Sequence, residues 1–220
     1  EGLYRYDGYE FRHYQFSPDD STSLPNSIVT DIKMEDRAGN LWLISGGEFT
    51  RYNRATDNFT RFSNRIDSSL IETWGSVHCI AEDGLGNIWL GSWGNQQNPA
   101  SGGLIELEKG TDLFKHHLHD PADSSSLSDN CITSLFTDSK ENLWIGTRKG
   151  GADLSITGKN EESGRFVHYM HSMENPDDSM RAAIFHISED GNGTLWLGTG
   201  KGLMRLNREM DYFERILMQS

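Results

Sequence analysis

Apolar positions along this chain fall into short runs that recur in a fixed order between polar turns. First comes an apolar pair three residues apart: Val29/Ile32, Val77/Ile80, Ile132/Leu135 and Ile184/Ile187. A turn follows, Asp36-Arg-Ala-Gly-Asn, Asp83-Gly-Leu-Gly-Asn, Asp138-Ser-Lys-Glu-Asn or Asp190-Gly-Asn-Gly-Thr. In such a turn Asp bonds its own backbone, and Gly or Asn accepts a positive φ. The next run, at 41–44, 88–91, 143–146 and 195–198, is continuously apolar and carries Trp42, Trp89, Trp144 and Trp196. It predicts a strand covered on both faces.

A third run lies at 2–6, 49–52, 103–107 and 202–206, and is irregular in Gly151-Ala-Asp-Leu154. A fourth ends each unit as Phe-x-x-aromatic or a variant of it: Phe11/Tyr14, Phe59/Phe62, Phe114/His117, Phe166/Tyr169 and Phe213/Ile216. One extra residue before Asp36, within 33–35, predicts a β-bulge in the first inner strand.

Four strands per unit, repeating at about 50 residues, describe blades of a β-propeller, because such units cannot bury their apolar faces alone. The expected fold is all-β: a single partial propeller over 1–220, with a hairpin at 1–16 and blades at roughly 26–63, 74–118, 130–170 and 182–217. Linkers rich in Asp, Ser and Pro (17–24, 120–127, 175–180, diverged at 65–70) recur in register, which predicts ordered turns rather than flexible spacers. The first hairpin lacks inner strands, and residues 216–220 cannot supply them. The expectation is a piece of a longer chain whose open edges meet further blades or a second copy.

Composition narrows the function. A formal charge of −13 repels nucleic acid and anionic membranes. No apolar run approaches the ~18 residues of a membrane span. Cys79 and Cys131 occupy non-equivalent repeat positions and are expected as unpaired, partly buried thiols. No catalytic-triad order, phosphate loop or zinc-binding motif is present, and each repeat Asp has a complete explanation in its turn. His116, His117 and His119 with Asp120 form the one histidine cluster, but alternation along a strand lets at most two imidazoles share a metal. No cofactor, no metal site and no catalytic residue are expected.

The stretch from Asn130 to Thr147, and less fully 190–199, resembles the two-component regulator propeller repeat. It departs at Ile44-Ser-Gly-Gly47 and in the inserted loop after Trp93. That resemblance implies propellers of about seven blades, forming the periplasmic sensor of hybrid histidine kinases in Bacteroidota, joined to the membrane only through other parts of the protein. In a propeller the second-to-third turns and the outer-to-inner connections share one rim, the usual binding face. Here that rim collects Trp93, Asn95, Gln96, Gln97 and Asn98, then Arg148, Lys149 and Lys201, with Trp74 and Arg181 from connections. Aromatic faces beside amide and guanidinium donors suit an oligosaccharide. Trp74 packed between blades and Trp93 shielding a turn are the plainer explanations. Trp42, Trp89, Trp144 and Trp196, recurring at one position, are expected in the packing core. The functional expectation is a glycan-sensing module that is not itself an enzyme. A purely structural or dimerising propeller and a propeller lyase or glycosidase are the alternatives.

Overall fold

The computed structural model describes residues 1–46, 48–62, 75–94, 98, 101–111, 113–156, 164–169, 183–207 and 212–216, in two compact units, 1–72 and 73–220. Among them every regular element is a strand, and the fold is a β-propeller of four-stranded antiparallel blades. The first unit holds a hairpin, β1 (Leu3–Tyr6) and β2 (Phe11–Tyr14). It also holds one full blade: β3 (Val29–Glu35), β4 (Leu41–Ser45), β5 (Glu48–Asn53) and β6 (Asn58–Arg61). The second unit begins with a blade of β7 (Ser76–Glu82), β8 (Ile88–Trp93), β9 (Gly103–Leu107) and β10 (Phe114–His117). Its next is β11 (Ile132–Thr137), β12 (Leu143–Thr147), β13 (Ala152–Ser155) and β14 (Phe166–Tyr169). The last is β15 (Ile184–Glu189), β16 (Leu195–Thr199), β17 (Gly202–Asn207) and β18 (Tyr212–Arg215). β7, β11 and β15 pack side by side, so the first strand of each blade is the inner one.

All four inner strands slip register near their start, at Val29/Asp31, Val77/Cys79, Ile132/Ser134 and Ile184/His186. Only β3 shows a second slip, at Ile32/Met34, where its extra residue sits. At the hairpin turns Gly39, Gly86 and Gly193 take positive φ, and Glu141 occupies the same place at φ 66°. The Asn or Thr that follows keeps negative φ and serves as a hydrogen-bond donor instead.

Each turn Asp is tied to the Trp six residues on. Trp42, Trp89, Trp144 and Trp196 donate Nε1–H to Oδ2 of Asp36, Asp83, Asp138 and Asp190 at 2.9, 2.7, 3.0 and 2.9 Å. The amide N–H of Asn40, Asn87, Asn142 or Thr194 donates to the other oxygen. For Asp36 and Asp138 burial pushes the carboxyl up, but the Trp and Asn bonds outweigh it and hold the group below its ordinary range. Asp190 is lowered chiefly by Trp196. A depressed folded pKa stabilises the protein above the unfolded value of 3.8, and that contribution is lost as pH falls further. Acid titration by near-ultraviolet circular dichroism is expected to show tryptophan packing lost below about pH 4, with a shallower slope in Asp138→Asn.

The linkers form one ordered motif wherever they are described. Asp20 Oδ1 accepts from Thr22 N and Oγ1, as Asp123 Oδ1 does from Ser125. Both linkers end in a fully buried leucine, Leu24 or Leu127. The outer strand clamps each one. Phe59 and Phe166 N–H donate to Thr22 and Ser125 carbonyls, Arg61 gathers the carbonyls of Ser17, Asp20, Ser23 and Leu24, and His168 bonds that of Ser126. Linkers 65–70 and 175–180 lie outside the described residues.

Candidate functional site

The rim of the second unit is built from three equivalent turns. β8 ends on Trp93, which pairs with Ser76 at the edge of the sheet, is 41% exposed and lies tilted against His78 with ring centroids 4.3 Å apart. The loop after it closes on a narrow neck. A side chain at Gly94 would strike the carbonyl of Ser101, one at Gly102 would meet that of Asn130, and Gly102 also holds φ +90°. Asn98 accepts the Ser101 N–H across this neck. Asn95, Gln96, Gln97 and Trp74 lie outside the described residues, as does Arg181.

In the next blade Arg148 and Lys149 are both exposed on a turn whose backbone is fully engaged. Arg148 N–H bonds the Cys131 carbonyl, Lys149 N–H bonds Asp129 Oδ2, and Gly150 N–H bonds Thr147 Oγ1. Gly150 sits so close to Ser128 that a Cβ would collide with its hydroxyl. Burial, with Asp129 adding to it, raises the half-buried Cys131 thiol against the opposing Arg148 and Lys149. Lys201, also exposed, has the corresponding place in the last blade, where Thr199 Oγ1 accepts its N–H. The structure thus places Arg148 and Lys149 on one hydrogen-bonded turn, Lys201 on the equivalent turn of the next blade, and Trp93 at the end of β8 in the blade before.

Beneath this turn lies a group that sequence reasoning passed over. Asp153 on β13 is fully buried, and its Oδ2 accepts from Ser128 N and Oγ, both at 2.9 Å. Oδ1 has no hydrogen-bond partner among the described residues, and His168 Nε2 stands 4.0 Å from it. Burial pushes this carboxyl up to about 6 despite the Ser128 bonds. The signal was in the register: the residues at this position in the other full blades are Thr50, Ile105 and Met204, none of them ionisable.

The two-component regulator propeller profile matches residues 72–94, 126–149 and 181–201, the inner-strand half of each blade in the second unit. These are two-component regulator propeller repeats. The regulator propeller is 30% identical over 244 aligned positions to histidine kinase P4 of Formosa agariphila, covering 88% of this chain and 17% of that protein. Among solved structures it resembles the extracellular domain of a putative hybrid two-component system of B. thetaiotaomicron. That match has 25% identity, a TM-score of 0.62, and coverage of 96% of this chain and 24% of the other. PorZ, a surface component of the type-IX secretion system of Porphyromonas gingivalis, is 15% identical with a TM-score of 0.69, covering 98% and 31%, which is a likeness of fold. The chain spans less than a quarter of either two-component relative.

The matched family is a regulator's and not a catalytic one. In this regulator propeller the three clustered histidines have separate duties. His116 Nε2 bonds the Gly102 carbonyl at 2.6 Å, His117 Nε2 bonds Glu106 at 3.1 Å, and His119 Nδ1 bonds the Leu127 carbonyl at 2.6 Å. Burial holds His116 below its ordinary pKa. Among the described residues no three His, Cys, Asp or Glu side chains gather where they could hold a metal. Trp42, Trp89 and Trp144 are buried to 3% exposure or less, whereas Trp196 in the last blade is half-buried.

Proposed function

We propose that this regulator propeller is part of the periplasmic sensor of a hybrid two-component system. Its rim takes a glycan-derived ligand, and the bound state is relayed to a histidine kinase elsewhere in the protein. The repeat match in three consecutive blades carries the reading, and the two-component relatives support its extracytoplasmic place. The ligand class rests on chemistry. A half-exposed indole packed against His78 offers a flat apolar face, and the corresponding turns of the next two blades present a guanidinium and two ammonium groups. Sugar rings stack their C–H faces on such an indole while hydroxyls or acidic groups take the donors.

The test is isothermal titration of the intact sensor with a broad oligosaccharide panel, neutral and acidic. Binding of at least one member is expected, and Trp93→Ala is expected to weaken it by about 2 kcal/mol, roughly thirtyfold in Kd. Silence across the whole panel, or affinity indifferent to Trp93, would reject the rim as a glycan site.

A further inference from the structure

Two linkers of the same build are gripped by different chemistry. Register aligns Arg61, opposite Thr50, with His168, opposite Asp153. Arg61 Nε donates to the Ser23 carbonyl at 2.9 Å, and His168 Nε2 meets the carbonyl at the matching place, Ser126, at 2.7 Å. A carbonyl only accepts, so the imidazole proton is on Nε2. The guanidinium keeps its charge at any ordinary pH and has no acid opposite it, whereas an imidazole and a carboxyl both titrate.

His168 stands between two acceptors. Besides the Ser126 carbonyl it faces Asp153 Oδ1, 4.0 Å away, an oxygen of a fully buried carboxyl that has no hydrogen-bond partner among the described residues. While the carboxyl is protonated, His168 stays on Ser126. Once it loses that proton to water, a buried anion with one bare oxygen is far costlier than a neutral carbonyl without a donor. Oδ1 then becomes the stronger acceptor for the same N–H. Burial, which lifts this carboxyl to about 6, brings the change into the neutral range.

What His168 holds bears on the rim. Ser126 opens the segment in which Ser128 N and Oγ reach Asp153 Oδ2 and Asp129 Oδ2 accepts the Lys149 N–H, while Ser128 lies against Gly150 of the same turn. Other charged groups border this segment. Asp129 repels the Asp153 anion and so helps to keep its proton on, and Arg148 and Lys149 act on Cys131 at the segment's end. From the preceding blade His119 Nδ1 bonds the Leu127 carbonyl, and His117, paired with Glu106, lies against Gly164 ahead of β14.

We propose that Asp153 and His168 form a proton-operated latch beneath the rim. With Asp153 protonated, His168 clamps Ser126 and the Arg148–Lys149 turn is fixed; with Asp153 ionised, His168 swings to Oδ1 and the 126–130 segment loosens. Its bearing on ligand binding rests on the rim being the ligand face, as proposed above, but the latch itself is read without ligand.

Hydrogen–deuterium exchange of the ligand-free intact sensor, read by mass spectrometry on peptides covering 126–130 and 147–151 and corrected for the intrinsic pH dependence, tests the latch. Protection there is expected to fall about tenfold between pH 5 and pH 7, while the 20–26 linker clamped by Arg61 stays flat. Asp153→Asn is expected to abolish the response, since an amide carries no charge to draw His168 and titrates nowhere in this range. His168→Arg is expected to abolish it too, by copying the fixed clamp of the first unit. A flat wild type, a response that survives Asp153→Asn, or one shared equally by the 20–26 linker would overturn the proposal, and so would a full response in His168→Arg. Because no ligand enters, failure of the latch is separate from failure of the rim to bind glycans.

Discussion

Replacing Asp153 by Asn is expected to raise the stability of the second unit at pH 7 and leave it nearly unchanged at pH 4. The folded protein holds this carboxyl up to about 6 through burial, against 3.8 for an ordinary aspartate. An acid whose folded pKa is raised contributes stability that is fully present below the unfolded pKa and is lost as pH rises through the folded one. At pH 7 the wild-type chain therefore carries an ionised carboxylate whose Oδ1 has no hydrogen-bond partner among the described residues. About two pKa units at 1.36 kcal/mol each make the difference on the order of 3 kcal/mol, reached between about pH 4 and pH 7. Asn keeps an oxygen for Ser128 N and Oγ, so the bonds that hold the 126–130 segment survive. Urea midpoints for both proteins at pH 4, 5, 6 and 7 give the test. A gap that does not widen with pH would mean that Asp153 is not the group responsible.

Trp144→Ala is expected to cost about 4 kcal/mol, a large share of the stability of an ordinary domain. The indole is 3% exposed, lies in the cluster of Ile184, Leu197 and Phe213, and meets Tyr169 and Phe213 edge-on. The loss thus falls on the contact between two blades and not within one sheet. Trp144→Phe separates packing from the polar link. It keeps most of the apolar volume but deletes the N–H that reaches Asp138, so about 1–2 kcal/mol is expected. The same Trp→Phe change at residue 196, which is half-buried, is expected to cost less, because less of its ring is packed. Urea unfolding of the three variants ranks them. Equal losses at 144 and 196 would contradict the packing argument.

Strand number and order were legible because each depends on local patterns. The Asp-to-Trp spacing, the continuous apolar second strand and the Phe-x-x-aromatic ending all survive in the described blades. Even the bulge in β3 followed from counting residues between Val29 and Asp36. The turn chemistry was half legible. Asp was assigned to bonding its own backbone, as it does, but its second oxygen holds the indole of its own blade. That link needs the turn and the second strand in three dimensions.

The rim was legible as a list and less so as a surface. Arg148, Lys149 and Lys201 stand on equivalent exposed turns and Trp93 at the end of β8, while Trp74, Arg181 and Asn95–Gln97 fall outside the described residues. His78 under Trp93 was not selected as a rim residue, since a single His at the start of an inner strand has no sequence signature. Asp153 hid within an irregular third strand.

By itself the sequence determined the period, the strands in each blade, the turn positions and the acidic charge, all of which are written in neighbouring residues or simple sums. Only the tertiary structure decided that Asp153 is buried beneath the rim, that Arg61 and His168 clamp the linkers, and that Phe11 lies open where Phe59, Phe166 and Phe213 are covered. Burial is set by what packs against a residue from distant parts of the chain. A repeat places chemically similar residues in every blade, but the neighbours of each blade determine which of them meet water.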